Sequence, residues 1–174
     1  MIFETLGLLA EQLNIYIDQV KKPDDGIVSP IAVLQNISCL NEKMLKTTNN
    51  ILLSLINIEE EQIFKNISHN ISEKTTQEKY HNSLLTPNLY VLVTAVMADY
   101  ENALKYLSYT IDFFKGKSIF TIQNCVTNVN GLINNFKIII EPYSLTFEQS
   151  SSIWSSLRVG QLPFICYKVR VVPL

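Results

Sequence analysis

Charge is the scarcest ingredient of this 174-residue sequence. Asp, Glu, Lys and Arg make up 17% of it, where a globular chain averages about 25%. The 14 basic and 16 acidic residues nearly cancel, leaving a net charge of -2. Without a clustered basic surface there is no electrostatic footprint for nucleic acid. Cys39, Cys125 and Cys166 lie far apart and follow no CxxC or Cys/His spacing, so they read as reduced, mostly buried thiols rather than as a disulfide or metal framework. The five glycines are scattered, and Lys115-Gly116-Lys117 is not a phosphate-binding loop. Histidine is limited to His69 and His81, both in a polar stretch that offers no rigid support for catalytic geometry. No apolar run approaches the roughly 20 residues of a membrane-spanning helix. The N-terminus carries Glu4 and Glu11 inside its apolar stretch and lacks the basic start of a signal peptide. These absences predict a cytoplasmic protein with no cofactor, no metal and neither nucleic acid nor membrane as partner. The Asn-Ile-Ser triplets at Asn36, Asn66 and Asn70 are then coincidences of an Asn- and Ser-rich chain that never meets the glycosylation machinery.

The chain is 47% hydrophobic and long enough to bury a core without staples. Ile2, Leu6, Leu9, Leu13, Ile17 and Val20 recur at steps of three and four and form one helical face, with Glu4, Glu11, Asn14 and Asp18 outside it. Lys21-Lys22-Pro23 closes that helix and Asp24-Asp25-Gly26 makes a turn. Residues 27–40 read as an edge strand and its return, broken by Ser29-Pro30. The segment 51–58 is apolar at alternating and intervening positions alike, the mark of a strand buried on both faces. Residues 65–86 form a long polar loop, which in a compact domain is functional or mobile. A second central strand spans 88–97. Asp99 caps a helix whose predicted core face is Tyr100, Ala103, Leu104, Leu107, Ile111 and Phe114, with Gly116 as a left-handed stop. Short strands at 118–122 and 136–141 follow, then a helix through Trp154 capped by Ser144 or Thr146. In the last segment Ile165, Tyr167, Val169 and Val171 face one way while Lys168 and Arg170 face the other. The expected fold class is α+β: a single domain over residues 1–174 in which a mixed central β-sheet is flanked by helices.

Chemistry is hard to find. Glu59-Glu60-Glu61 is the densest acidic run, yet neighbouring carboxylates diverge on a strand and no His or Asp stands nearby to complete a metal site. The chain therefore reads as no enzyme but as a subunit that binds copies of itself and neighbouring proteins. Low charge agrees with a surface partly covered by other subunits, although Asn, Ser and Thr also supply polar surface here. The interface candidates are Glu59, Glu60, Glu61, Lys168 and Arg170, with plain solvent exposure as the competing explanation. A thiol-dependent enzyme using Cys125 or Cys166 would need a low thiol pKa and a nearby base.

Several segments carry a family resemblance, in order and with comparable spacing. They are Asn57-Ile58-Glu59-Glu60-Glu61, Pro87-Asn88-Leu89-Tyr90-Val91-Leu92 and Tyr100-Glu101-Asn102-Ala103-Leu104-Lys105-Tyr106-Leu107-Ser108. Phe113-Phe114-Lys115-Gly116-Lys117, Phe147-Glu148-Gln149, Trp154-Ser155-Ser156-Leu157, Leu162-Pro163 and Tyr167-Lys168-Val169-Arg170 continue the series. Nearly end to end, the chain resembles the tail-cap, or tail-terminator, family of extracellular contractile injection systems, antifeeding-prophage type. The resemblance implies a tail-terminator-like fold and a homohexameric ring on the inner tube and sheath that ends growth and stabilises the particle. Implied partners are further copies of the chain, the tube and sheath proteins, and a second cap paralogue. A baseplate- or sheath-associated adaptor of the same kind of particle is the alternative. Two departures stand out: Gln123-Asn124-Cys125-Val126 replaces an Asn-Thr-Pro-like turn, and the C-terminal region of some relatives is not expected after Leu174.

Overall fold

A computed structural model describes residues 1–21, 26–60, 87–121, 123–125 and 136–173. The 65–86 loop, Glu61, both histidines, the turn at Asp24-Asp25 and residues 126–135 lie outside the described residues. In chain order the elements are α1 (Ile2–Val20), β1 (Ala32–Leu34), a helical turn (Ile37–Cys39), α2 (Glu42–Thr47), β2 (Asn50–Glu60) and β3 (Pro87–Val96). There follow α3 (Tyr100–Gly116), β4 (Ile119–Phe120), β5 (Phe136–Pro142), α4 (Phe147–Leu157) and β6 (Phe164–Pro173). The strands form one six-stranded sheet in the order β1-β2-β3-β6-β5-β4. The β1–β2 pair is parallel and the others are antiparallel, so the sheet is mixed and the fold is α+β.

One face of the sheet packs on α1 and α3. The α1 stripe sits where its spacing predicts: Leu6, Leu9, Leu13 and Ile17 are buried against Ile51, Leu53, Val91, Val93, Ile140 and Val169. Asn14, on the edge of that stripe, does structural work that periodicity does not reveal. Its Oδ1 accepts from the backbone N–H of Ile31 at 2.8 Å and of Ala32 at 2.7 Å, while its Nδ2 donates to Ala32 O at 2.8 Å. One side chain thus satisfies the backbone at the start of β1, on the side where no strand lies among the described residues. The opposite face carries a smaller cluster in which Leu52, Leu92, Val96 and Cys166 meet Ile37, Leu40 and Trp154.

Several expectations need correction. Asp99 caps α3, accepting from Asn102 N–H at 3.0 Å, but the buried face of α3 is Ala103, Tyr106, Leu107, Thr110, Phe113 and Phe114. Tyr100, Leu104 and Ile111 point outward at 66%, 44% and 37% exposure. The helix is rolled from the expected stripe because Phe113 stacks on Tyr16 of α1 and Phe114 on Tyr167 of β6. Large aromatic area outweighs the smaller aliphatic positions. Gly116 is not a left-handed stop. It ends α3 itself, Lys117 leaves in an extended conformation, and the chain runs straight into β4, so no reversal is needed. β2 is buried on both faces only over Ile51–Ser54. Register shifts between Leu55 and Asn57; Leu55, just before that bulge, and Ile58, beyond it, are exposed, because β1 pairs with β2 only at Ile51, Leu52 and Leu53.

Candidate functional site: an open end of the sheet

Residues paired across neighbouring strands share a face, and the registers bring four of the five interface candidates into one part of the sheet. One row runs Asn57–Tyr90–Lys168–Glu141 and the next runs Glu59–Asn88–Arg170–Ile139. Glu59, Lys168 and Arg170 therefore lie on one face, with Glu60 adjacent at the end of β2 on the opposite side of the pleat. Glu61 falls outside the described residues.

Within this surface Tyr90 is buried, and its hydroxyl donates to Glu59 Oε2 at 2.7 Å. That carboxylate and then burial push the Tyr90 phenol up to about 12. Tyr90 also meets the Tyr143 ring edge-on at 4.9 Å. Arg170 donates to Glu141 Oε1 at 2.9 Å; at 30% and 50% side-chain exposure, such a pair contributes at most about 1 kcal/mol. Arg170 Nε and Asn88 Oδ1 are buried and have no hydrogen-bond partner among the described residues. The row Asn57–Tyr90–Lys168–Glu141 was not legible from sequence, since Asn57, Tyr90 and Glu141 come from three strands whose register no local signal sets.

Beside these rows a groove of about 720 Å³ separates the sheet from α4. Leu55, Asn57, Glu59 and Tyr90 line it from the strands, Glu148 and Ile153 from the helix. Thr146 starts α4 with a reciprocal cap: its hydroxyl accepts from Gln149 N–H at 3.2 Å and Gln149 Oε1 accepts from Thr146 N–H at 3.0 Å. That cap sets where Glu148 stands at the groove mouth. Phe147, the first helical residue, is 97% exposed.

The thiols lie in different surroundings. Cys39 is exposed, Cys125 half-buried and Cys166 buried. Burial pushes the Cys166 thiol up to about 11, and burial also raises Cys125, against the pull of Lys117. An activated thiol is shifted the other way. At pH 8 Cys39 is expected to react promptly with an aromatic disulfide reagent, and Cys166 only on unfolding; prompt labelling of Cys166 in the folded protein would contradict this packing. An unfolded cysteine titrates near 8.5. The neutral Cys166 thiol thus contributes stability that is fully present below that pH and is lost as pH rises through about 11. Among the described residues no group of three or more His, Cys, Asp or Glu is placed to hold a metal ion, and no helix is long and apolar enough to cross a membrane.

No curated protein sequence matches the chain. Among solved structures, the fold is similar to the PVC sheath/tube terminator of an extracellular contractile injection system, seen by cryo-electron microscopy in its extended state. The TM-score is 0.56 at 14% identity, and the match covers 100% of this chain and 57% of that one. The chain therefore spans little more than half the length of that neighbour. Over residues 6–174 the sequence matches the family described as the Pvc16 N-terminal domain, and the chain belongs to that family.

Proposed function

We propose that this protein is a structural subunit that caps the inner tube and sheath of a contractile injection particle and ends their growth. The observation that carries this reading is the terminator fold, which covers the whole chain and agrees with the family match over residues 6–174. In this reading copies assemble in the cytoplasm into a ring of six on the finished tail, contacting tube and sheath proteins and, where present, a second cap paralogue. Lys168 and Arg170 meet the tail, while Glu59 and Glu60, at the end of β2, lie at contacts between copies. The protein works by binding rather than by catalysis.

The deciding experiment is particle length by electron microscopy in cells lacking the gene. Overlong, variable tubes that return to uniform length on complementation are expected. Uniform, capped particles in the deletion strain would overturn the proposal. Complementation with the double variant Lys168→Glu, Arg170→Glu, checked for an unchanged fold by circular dichroism, is expected to leave the length defect uncorrected. Full correction would remove the two bases from the tail contact.

A further inference from the structure

The two ends of the sheet differ in cover, charge and apolar exposure. At one end β1 pairs with β2 only at Ile51, Leu52 and Leu53. The outer edge of β2 from Leu55 to Glu60 therefore has no strand beside it among the described residues. That stretch carries Glu59 and Glu60, the exposed apolar residues Leu55 and Ile58 at 37% and 48%, and the groove whose far wall bears Glu148. Among the described residues no basic side chain lines the groove. At the other end α3 runs through Lys115 and Lys117 into the edge strand β4, where Ile119 is 45% exposed. Lys117 Nζ is held in place by Gln12 Oε1 at 3.2 Å and Asn124 O at 2.6 Å, and lies 4.9 Å from the Phe120 ring centroid. Lys137 stands on the neighbouring strand β5, and Asp112 is the acid one turn back along α3.

An uncovered strand edge is a template for another chain, and folded proteins cover or blunt such edges. Here one edge is acidic with apolar neighbours and the opposite edge is basic with an apolar neighbour. Four strand spacings, roughly 19 Å, separate them, so the two edges cannot meet within one molecule. We infer that the acidic β2 edge of one copy docks against the basic α3–β4 end of the next. Glu59 and Glu60 then face Lys115 and Lys117, and Leu55 and Ile58 cover Ile119. Because the two patches differ, the contact is head-to-tail. Such contacts propagate and close into a ring when the rotation between copies permits. This inference rests on the ring reading and names the surfaces that build it.

The test uses charge reversal in the full chain, expressed in particle-producing cells in place of the native copy. One variant carries Glu59→Lys and Glu60→Lys, the other Lys115→Glu and Lys117→Glu. Alone, each sets like charges against each other at every contact. That juxtaposition costs several kcal/mol, so the fraction of particles of uniform length is expected to fall at least about tenfold. Expressed together, the two variants can alternate around a ring with every contact complementary, and uniform length is expected to return. A defect due only to misfolding would not be rescued this way. Single variants that control length like the native protein, or folded variants that fail to rescue each other, would overturn the inference. An abnormal length distribution in the gene deletion alongside either of those outcomes would leave the capping role intact. A normal distribution in the deletion would overturn the capping role itself.

Discussion

Replacing Asn14 by alanine is expected to lower the free energy of unfolding by about 2–4 kcal/mol, one of the largest effects available from a single polar side chain here. The amide makes three hydrogen bonds, all to the backbone of Ile31 and Ala32, and both of those residues are almost fully buried. Alanine would orphan two N–H donors and one carbonyl, each costing about 1–3 kcal/mol where water cannot reach and less where it can. The strand that would loosen, β1, is only three residues long and has the β2 ladder on one side alone. Asn14→Asp keeps the acceptor for both N–H groups but loses the donor to Ala32 O, so it should fall between alanine and the native residue. Urea unfolding followed by circular dichroism measures the series. A loss under about 1 kcal/mol for alanine would show that β1 is held mainly by its apolar contacts.

Trp154→Ala is expected to cost about 3–5 kcal/mol. Trp154 is the one buried residue of α4, and its ring packs edge-on against Phe164 at 5.3 Å. It joins Leu52, Leu92 and Cys166 in the cluster under the helix. Removing it takes away the anchor of α4 and with it one wall of the groove beside Tyr90. Trp154→Phe separates volume from hydrogen bonding. The indole N–H is buried without a partner among the described residues, so phenylalanine removes an unpaired donor while keeping an aromatic ring, and should cost less than about 1.5 kcal/mol. In thermal unfolding the alanine variant should melt some 6–20 °C lower, given about 2–4 °C per kcal/mol at this chain length. A phenylalanine variant as unstable as alanine would mean that the indole donor has a partner after all.

Elements with one dominant signal were legible in the sequence. The six-residue stripe of α1, the Asp99 cap of α3, the continuous apolar run of β3 and the alternation of β6 each follow from a period or a cap that few other structures would produce. What was not legible depends on neighbours distant in the chain. The core face of α3 turns on Phe113 and Phe114 finding Tyr16 and Tyr167, and helical periodicity alone gave Leu104 and Ile111 equal standing. The apolar run of 51–58 looks uniform, yet only its first half lies under other elements. Asn14 reads as a polar-face residue until β1 is placed beside it. For the candidate surface, sequence supplied the charges but not their geometry. Glu59 and Arg170 share a row because β3 lies between their strands, which needs the full register.

The position of β6 bears on how the protein is made. Residues 164–173 supply the strand between β3 and β5, so the middle of the sheet is filled by a segment synthesised after the other five described strands. A nascent chain that has reached only β5 holds two strand edges with no common neighbour, and Tyr167 and Val169 are missing from the main core. Pairings of this sequence separation close slowly. Completion of the sheet therefore waits on translation of β6, and a prematurely truncated chain lacks the strand that bears Lys168 and Arg170.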